Sequence, residues 1–217
     1  SLKLTGQLDW SKGLSADPKV AWLDFPWHRL YPLIDEPQVA LRSFNGDVSY
    51  TDGKYLGHFD AALDGPAGAF SLTSPFAGDL TKIYLQQIQL VAGQGKAEGH
   101  LNLQFADGIA WDTALDLSAI DPAYWVAELP GTLAGPLRSK GEMKNEKLSL
   151  SADLDLKGKL RGQPAVLQAK ADGSGEQWNL NALQIRLGDN SINGKGSLQQ
   201  KLTGQIDIKL ARLAQLR

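Results

Sequence analysis

The chain has 217 residues, 42% hydrophobic and 21% charged, which suits one large all-β domain or two small ones and is apolar enough to bury a core. Lys and Arg number 22 against 24 Asp and Glu, a formal net charge of -2, so there is no electrostatic case for nucleic acid. With no cysteine, a disulfide framework and a zinc-thiolate site are excluded, and no apolar run reaches the roughly 18 residues of a membrane-spanning helix.

The chain opens in a strand pattern rather than a basic-then-apolar leader, as a segment of something longer would, and any leader or anchor is expected outside it. Residues 2–10 place Leu2, Leu4, Gly6, Leu8 and Trp10 on one face, and Ser11-Lys12-Gly13 then turns the chain. A second strand is predicted at 19–23. In residues 24–34, Asp24 can cap, Pro26 suits a first helical turn, and Trp27, Leu30, Tyr31 and Ile34 share one face; Pro32 and Pro37 keep this helix short. Strands follow at 39–44, 46–51, 56–63, 69–73, 82–86, 88–92, 99–105 and 109–117. Asp52-Gly53, Asp64-Gly65-Pro66, Gly78-Asp79 and Asp107-Gly108 separate several of them as antiparallel hairpins. Asp121 with Pro122 behind it predicts a second short helix through Tyr124 and Trp125, ended by Pro130-Gly131. The remaining strands are expected at 132–137, 141–145, 148–160, 165–171, 177–182, 184–187, 191–198 and 202–210.

The clearest element is 148–160. Leu148, Leu150, Ala152, Leu154, Leu156, Gly158 and Leu160 alternate with Ser149, Ser151, Asp153, Asp155, Lys157 and Lys159, a strand with one apolar and one wet face. At about 3.3 Å per residue it would run roughly 40 Å, about twice the usual strand. An apolar face that long needs an equally long sheet, or something other than protein, to cover it.

Glycine spacing exposes a period of just under a hundred residues. Residues 82–90 resemble 177–185, and Gly99-His100-Leu101 or Gly196-Ser197-Leu198 soon follows each; Leu63-Asp64-Gly65-Pro66 echoes Leu160-Arg161-Gly162-Gln163-Pro164. The chain thus reads as about two units, approximately 1–98 and 99–217. Units that cannot cover their own apolar faces stack around a continuous interior. The expected fold is all-β: one long antiparallel sheet curled lengthwise into a trough, with short helical turns at the repeat junctions. Leu4, Leu8, Leu85, Leu90, Leu101, Leu103, Leu115, Leu117, Leu148, Leu150, Leu154, Leu156, Leu160, Leu180, Ile185, Ile206 and Ile208 are the candidates for its apolar wall. Trp22, Phe25, Trp27 and Tyr31 are expected to plug one chain reversal, and Tyr124 with Trp125 the equivalent one.

Catalytic and metal chemistry find little support. His28, His58 and His100 have no second ligand at metal spacing. Residues 188–197 have the wrong spacing for a phosphate loop and read as a hairpin turn. No Gly-x-Ser-x-Gly elbow occurs, and Asp153 and Asp155 share the wet face as solubilising charges. The reading is a non-enzyme without cofactor or metal.

The strings Leu160-Arg161-Gly162-Gln163-Pro164, Gly188-Asp189-Asn190-Ser191-Ile192-Asn193-Gly194, Leu117-Ser118-Ala119-Ile120-Asp121-Pro122 and Leu129-Pro130-Gly131-Thr132-Leu133-Ala134-Gly135, in their order and spacing, resemble repeating segments of the TamB family, the translocation and assembly module subunits of diderm bacteria. The resemblance runs over essentially the whole chain. It implies a lengthwise-curled sheet, the β-taco of AsmA-like, bridge-type lipid carriers, with phospholipid in its groove. It also implies a periplasmic location within a protein held in the inner membrane by an N-terminal helix absent from this segment. The implied partner is the outer-membrane barrel protein TamA, contacted through regions outside this segment. Two other readings stay open: a chaperone-like module that binds outer-membrane β-strands, and a carbohydrate-active or adhesive β-repeat, which would need Trp residues on the outer face near a carboxylate pair in a cleft.

Overall fold

The computed structural model describes residues 2–3, 14–16, 21–22, 39–199 and 202–212. Three short strands come first, β1 (Leu2–Lys3), β2 (Leu14–Ala16) and β3 (Ala21–Trp22). Long strands then follow one another: β4 (Ala40–Thr51), β5 (Lys54–Gly65), β6 (Gly68–Asp79), β7 (Lys82–Ala92), β8 (Gly95–Gln104) and β9 (Ile109–Ile120). After a turn come β10 (Gly131–Lys144), β11 (Lys147–Leu160), β12 (Gln163–Ser174), β13 (Gln177–Leu187), β14 (Asn190–Leu198) and β15 (Leu202–Lys209). From β4 to β15 each strand pairs antiparallel with the next; β2 lies beside β4, giving a 13-stranded sheet whose end strands do not meet, and β1 pairs with β3. The predicted helix at 24–34 and its aromatics Phe25, Trp27 and Tyr31 lie outside the described residues.

Tight turns set the meander. Asp52-Gly53, Asn145-Glu146 and Arg161-Gly162 each have positive φ at both positions, the mirror-image turns whose twist matches that of the flanking strands. Several strands that the sequence splits are continuous. Residues 40–44 and 46–51 belong to β4, and 132–137 and 141–144 to β10, because the ladders run in register through 45 and through 138–140; the bulges of these strands lie elsewhere, between Leu41 and Ser43 and between Leu133 and Gly135. The pairs 82–86 with 88–92 and 177–182 with 184–187 likewise join as β7 and β13, each bulged where the alternation slips. The turn expected at Gly78-Asp79 falls instead on Leu80 and Thr81, because Gly78 is still in the ladder opposite Tyr55.

The predicted helix at 121–125 is a single 3-10 turn, η1 (Pro122–Tyr124). One Asp121 carboxylate oxygen accepts from the amides of Ala123 and Gly131, both at 3.0 Å, so a single side chain closes both ends of the excursion between β9 and β10. On a flat sheet β5 and β9 would stand four strand spacings apart, roughly 19 Å. The four residues from Ile120 to Tyr124 reach at most about 14 Å, yet the Tyr124 carbonyl lies against Gly65 at the end of β5. The sheet is therefore drawn in along this margin, and it curls into an open trough.

Candidate functional site

Residues directly opposite in an antiparallel ladder share a face, so the register assigns every described side chain to one wall or the other. On β11, Leu150, Ala152, Leu154, Leu156 and Gly158 face Gly173, Ala171, Ala169, Leu167 and Ala165 of β12. The same face passes through Leu187, Ile185, Leu183 and Leu180 of β13 and Ile192 of β14 to Ile206 and Ile208 of β15. In the other direction it runs through Leu133 and Leu137 of β10, Leu115 and Leu117 of β9, Leu101 and Leu103 of β8, and Leu85 and Leu90 of β7. Leu148 joins through Met143, and Leu160 packs on the same cluster. All the wall candidates from Leu85 to Ile208 thus lie on one face; Leu4 and Leu8 are outside the described residues.

This face is not uniformly covered. Leu133, Leu156 and Ala165 are buried, with Leu117, Leu154, Leu160, Leu167 and Leu187 packed against them, along the margin that η1 draws in. Phe70 is buried there too, its ring 5.2 Å from Trp125 and 6.3 Å edge-on from Tyr124. Tyr124 and Trp125 pack into this reversal, where they were expected as its plug. Toward the opposite margin Tyr50, Ile109, Met143 and Leu198 are exposed. On β15, Ile206 and Ile208 are 68% and 61% exposed.

The aromatic part of the face was not read from the sequence. Trp111 and Trp178 lie opposite Gly141 and Gly173, and Phe76 and Tyr55 opposite Gly57 and Gly78. Each ring lies over its glycine: a Cβ on Gly57 would stand 2.5 Å from Phe76 Cζ, and one on Gly141 2.6 Å from Trp111 Cζ2. The polar tips are each hydrogen-bonded. Trp111 Nε1 donates to Ser139 Oγ at 3.0 Å, Trp178 Nε1 to the Gly175 carbonyl at 2.8 Å, and the Tyr55 hydroxyl to the Lys82 carbonyl at 2.9 Å. Burial, and then the Asp79 carboxylate, raise the Tyr55 pKa above its ordinary value, which keeps the phenol neutral. The rings therefore add apolar area without standing up into the channel. A glycine directly opposite an aromatic, once the turns fix register, is the signal that would have found them.

The other face is polar. A row of one residue per strand, Tyr84, Asn102, Asp112, Lys140, Ser151 and Asp172, lines a hollow of about 810 Å³. The twist of the sheet makes it concave, but its groups satisfy one another: Asn181 Nδ2 donates to Asp172 at 2.5 Å, and His100 stands 3.8 Å from Asp112. Its shape is that of a binding site, but its chemistry is that of a solvated surface. His58 is also exposed, 3.7 Å from Asp60, and among the described residues no three potential ligands group around a metal position. Trp111 and Trp178 sit on the apolar face, away from the outer carboxylates, so among the described residues they do not form the arrangement that a carbohydrate platform would need.

Comparison with known proteins agrees with this geometry. No solved structure matches the chain. The chain is 27% identical over 138 residues to the translocation and assembly module subunit TamB of Haemophilus influenzae, a match covering 63% of this chain and 11% of that much longer protein. The family described as "TamB, N-terminal domain" matches residues 2–217, and with an open, curled, all-β sheet under that match the chain belongs to the TamB family.

Proposed function

We propose that the chain is a stretch of lipid conduit, a periplasmic part of a bridge between the inner and outer membranes whose apolar trough carries phospholipid acyl chains for outer-membrane biogenesis. The supporting observation is that apolar residues of the strands from β4 to β15 share one face of the sheet, open to solvent along one margin. Moving two acyl chains of about 16 carbons through water costs on the order of 25 kcal/mol at about 0.8 kcal/mol per CH₂. A continuous apolar wall removes most of that cost, and no residue has to do chemistry. The headgroup stays at the open margin.

The reading treats the chain as about two units, near 1–98 and 99–217, stacked end to end. It places the work within a translocation and assembly module, the name that the Haemophilus influenzae relative carries, with TamA met by other parts of the protein. Solvent extraction or native mass spectrometry of the purified chain tests it. Acyl lipid at a stoichiometry that falls when Leu154 is made Arg supports the conduit.

One observation favours a second reading. Among the described residues β15 pairs only with β14, and Ile206 and Ile208 on it are exposed. An outer-membrane strand could add there by β-augmentation. Recovery of bound peptide instead of lipid would select it.

A further inference from the structure

The ladder between β6 and β7 is broken in the middle. Pairing stops at Thr73 opposite Gln89 and resumes at Ala77 opposite Tyr84, leaving Ser74, Pro75 and Phe76 unpaired with Leu85, Gln86, Gln87 and Ile88. Pro75 has no amide hydrogen to offer, and the buried Ser74 hydroxyl donates to the Pro75 carbonyl at 2.7 Å rather than across to β7. The chain contains its own control. In the stretch that resembles this one, β12 and β13, Gln168 opposite Gln184 is followed by Ala169, Lys170 and Ala171 in register, with one bulged residue on β13. Lys170 stands where Pro75 does.

Two further features meet at the break. Upstream, the rings of Phe44, Phe59, Phe76 and Tyr55 touch in sequence, at 5.6, 6.4 and 6.1 Å between centroids, whereas downstream the face is mainly aliphatic. η1, which belongs to the downstream side, reaches back over β7 and β8 to put Tyr124 and Trp125 on Phe70 of β6 and the Tyr124 carbonyl against Gly65 of β5. Aromatic packing between the two sections thus reaches past the ladder that joins them.

We propose that the β6–β7 junction is a hinge in the trough, latched by Tyr124 and Trp125, about which the aromatic section bends relative to the aliphatic one. The hinge rests on backbone pairing and ring contacts and is independent of what the trough carries. When the latch opens, the ladder pairs at 71–73 and 77–78 keep the two sections joined.

Amide hydrogen exchange of the 217-residue chain tests it, with residues 179–183 of β13 as the internal reference. Residues 84–88 should exchange at least about tenfold faster than 179–183, the behaviour of a ladder that opens locally. Pro75→Lys, which installs the residue of the corresponding position, should close that gap, with Pro75→Ala as the milder variant if the lysine does not fold. Trp125→Ala should speed exchange at 71–73 and 89–91 and leave 179–183 unchanged. Because the chain has no cysteine, spin labels at Asp60→Cys and Asp116→Cys report the bend directly. Their distance distribution should be broader than that of Lys157→Cys with Lys195→Cys, and broader still with Trp125→Ala. Equal protection of the two ladders in the parent chain, or a narrow 60–116 distribution that Trp125→Ala does not change, overturns the hinge.

Discussion

Neighbouring residues on one strand behave oppositely because their side chains leave by opposite faces. Leu154 of β11 faces Leu137 and Ala169 inside the trough, while Asp155 accepts from Gln168 Nε2 at 3.0 Å on the polar side. Asp155→Arg should lose that hydrogen bond at a cost of about 1 kcal/mol and keep any bound lipid. Leu154→Arg should fold, since an open trough lets the long side chain reach its rim, but acyl chains passing it would meet a charge costing about 2.5–3.5 kcal/mol. Equal lipid recovery from the two variants would count against the conduit. At the β6–β7 turn, the Thr81 hydroxyl and amide hold the Asp79 pKa below its ordinary 3.8, with Lys82 adding to the effect. A depressed carboxylate contributes stability above its unfolded-state value and loses it as pH falls through the folded one. The difference in melting temperature between the parent and Asp79→Asn should therefore be present at neutral pH, shrink as pH falls below about 4 and vanish once pH is below the depressed folded-state pKa. A difference that persists there would mean that the negative charge of this side chain is not what stabilises the turn.

At the scale of elements, β11 is the strand whose identity is plainest in the amino-acid sequence. Its alternation is unbroken, and each of its even positions from Leu148 to Leu160 is at least partly covered apart from Gly158. β7 and β13 are harder to read because Leu85 to Ile88 and Leu180 to Leu183 each skip a beat, which on a strand read alone is indistinguishable from an end. Only a neighbouring ladder reveals a bulge. The η1 turn was legible from Asp121 and Pro122, yet its partner Phe70, far away in sequence, was not. Phe70→Ala removes a ring that is 7% exposed and should cost about 3–5 kcal/mol. Phe105→Ala, at a half-exposed position between β8 and β9, should cost much less. Thermal or denaturant melts that rank the two alike would show that η1 is not holding the margin.

At the scale of the whole molecule, among the described residues twelve consecutive long strands pair with their sequence neighbours, and the short β2 lies beside β4. A meander of this kind has no long crossover, so its contacts are nearly all between successive hairpins and its stability accumulates along the sheet. The far-UV circular dichroism should be dominated by β-structure. A helical share above about a third, the ordinary globular value, would be incompatible with the sheet. Among the described residues the sheet also has one incompletely covered apolar face, and an exposed apolar patch of that size usually has a use. The conduit reading assigns the face to lipid, and the hinge explains how a long trough can bend without tearing its ladders.

The period of two along each strand, the turn residues that reverse it and the family resemblance were all local, and local pattern was enough to determine an antiparallel all-β chain and to put the described wall candidates on a common face. That face became visible strand by strand because alternation needs no partner to be recognised. Three things required the tertiary structure. The aromatic floor depends on Trp111, Trp178 and Phe76 meeting glycines on adjacent strands, which is a matter of register. The drawn-in margin depends on Tyr124 and Trp125 reaching Phe70, a contact between residues far apart in the chain. The interrupted ladder at Pro75 depends on what stands opposite it. A proline announces a missing donor, but only the neighbouring strand decides whether anything was there to receive the bond.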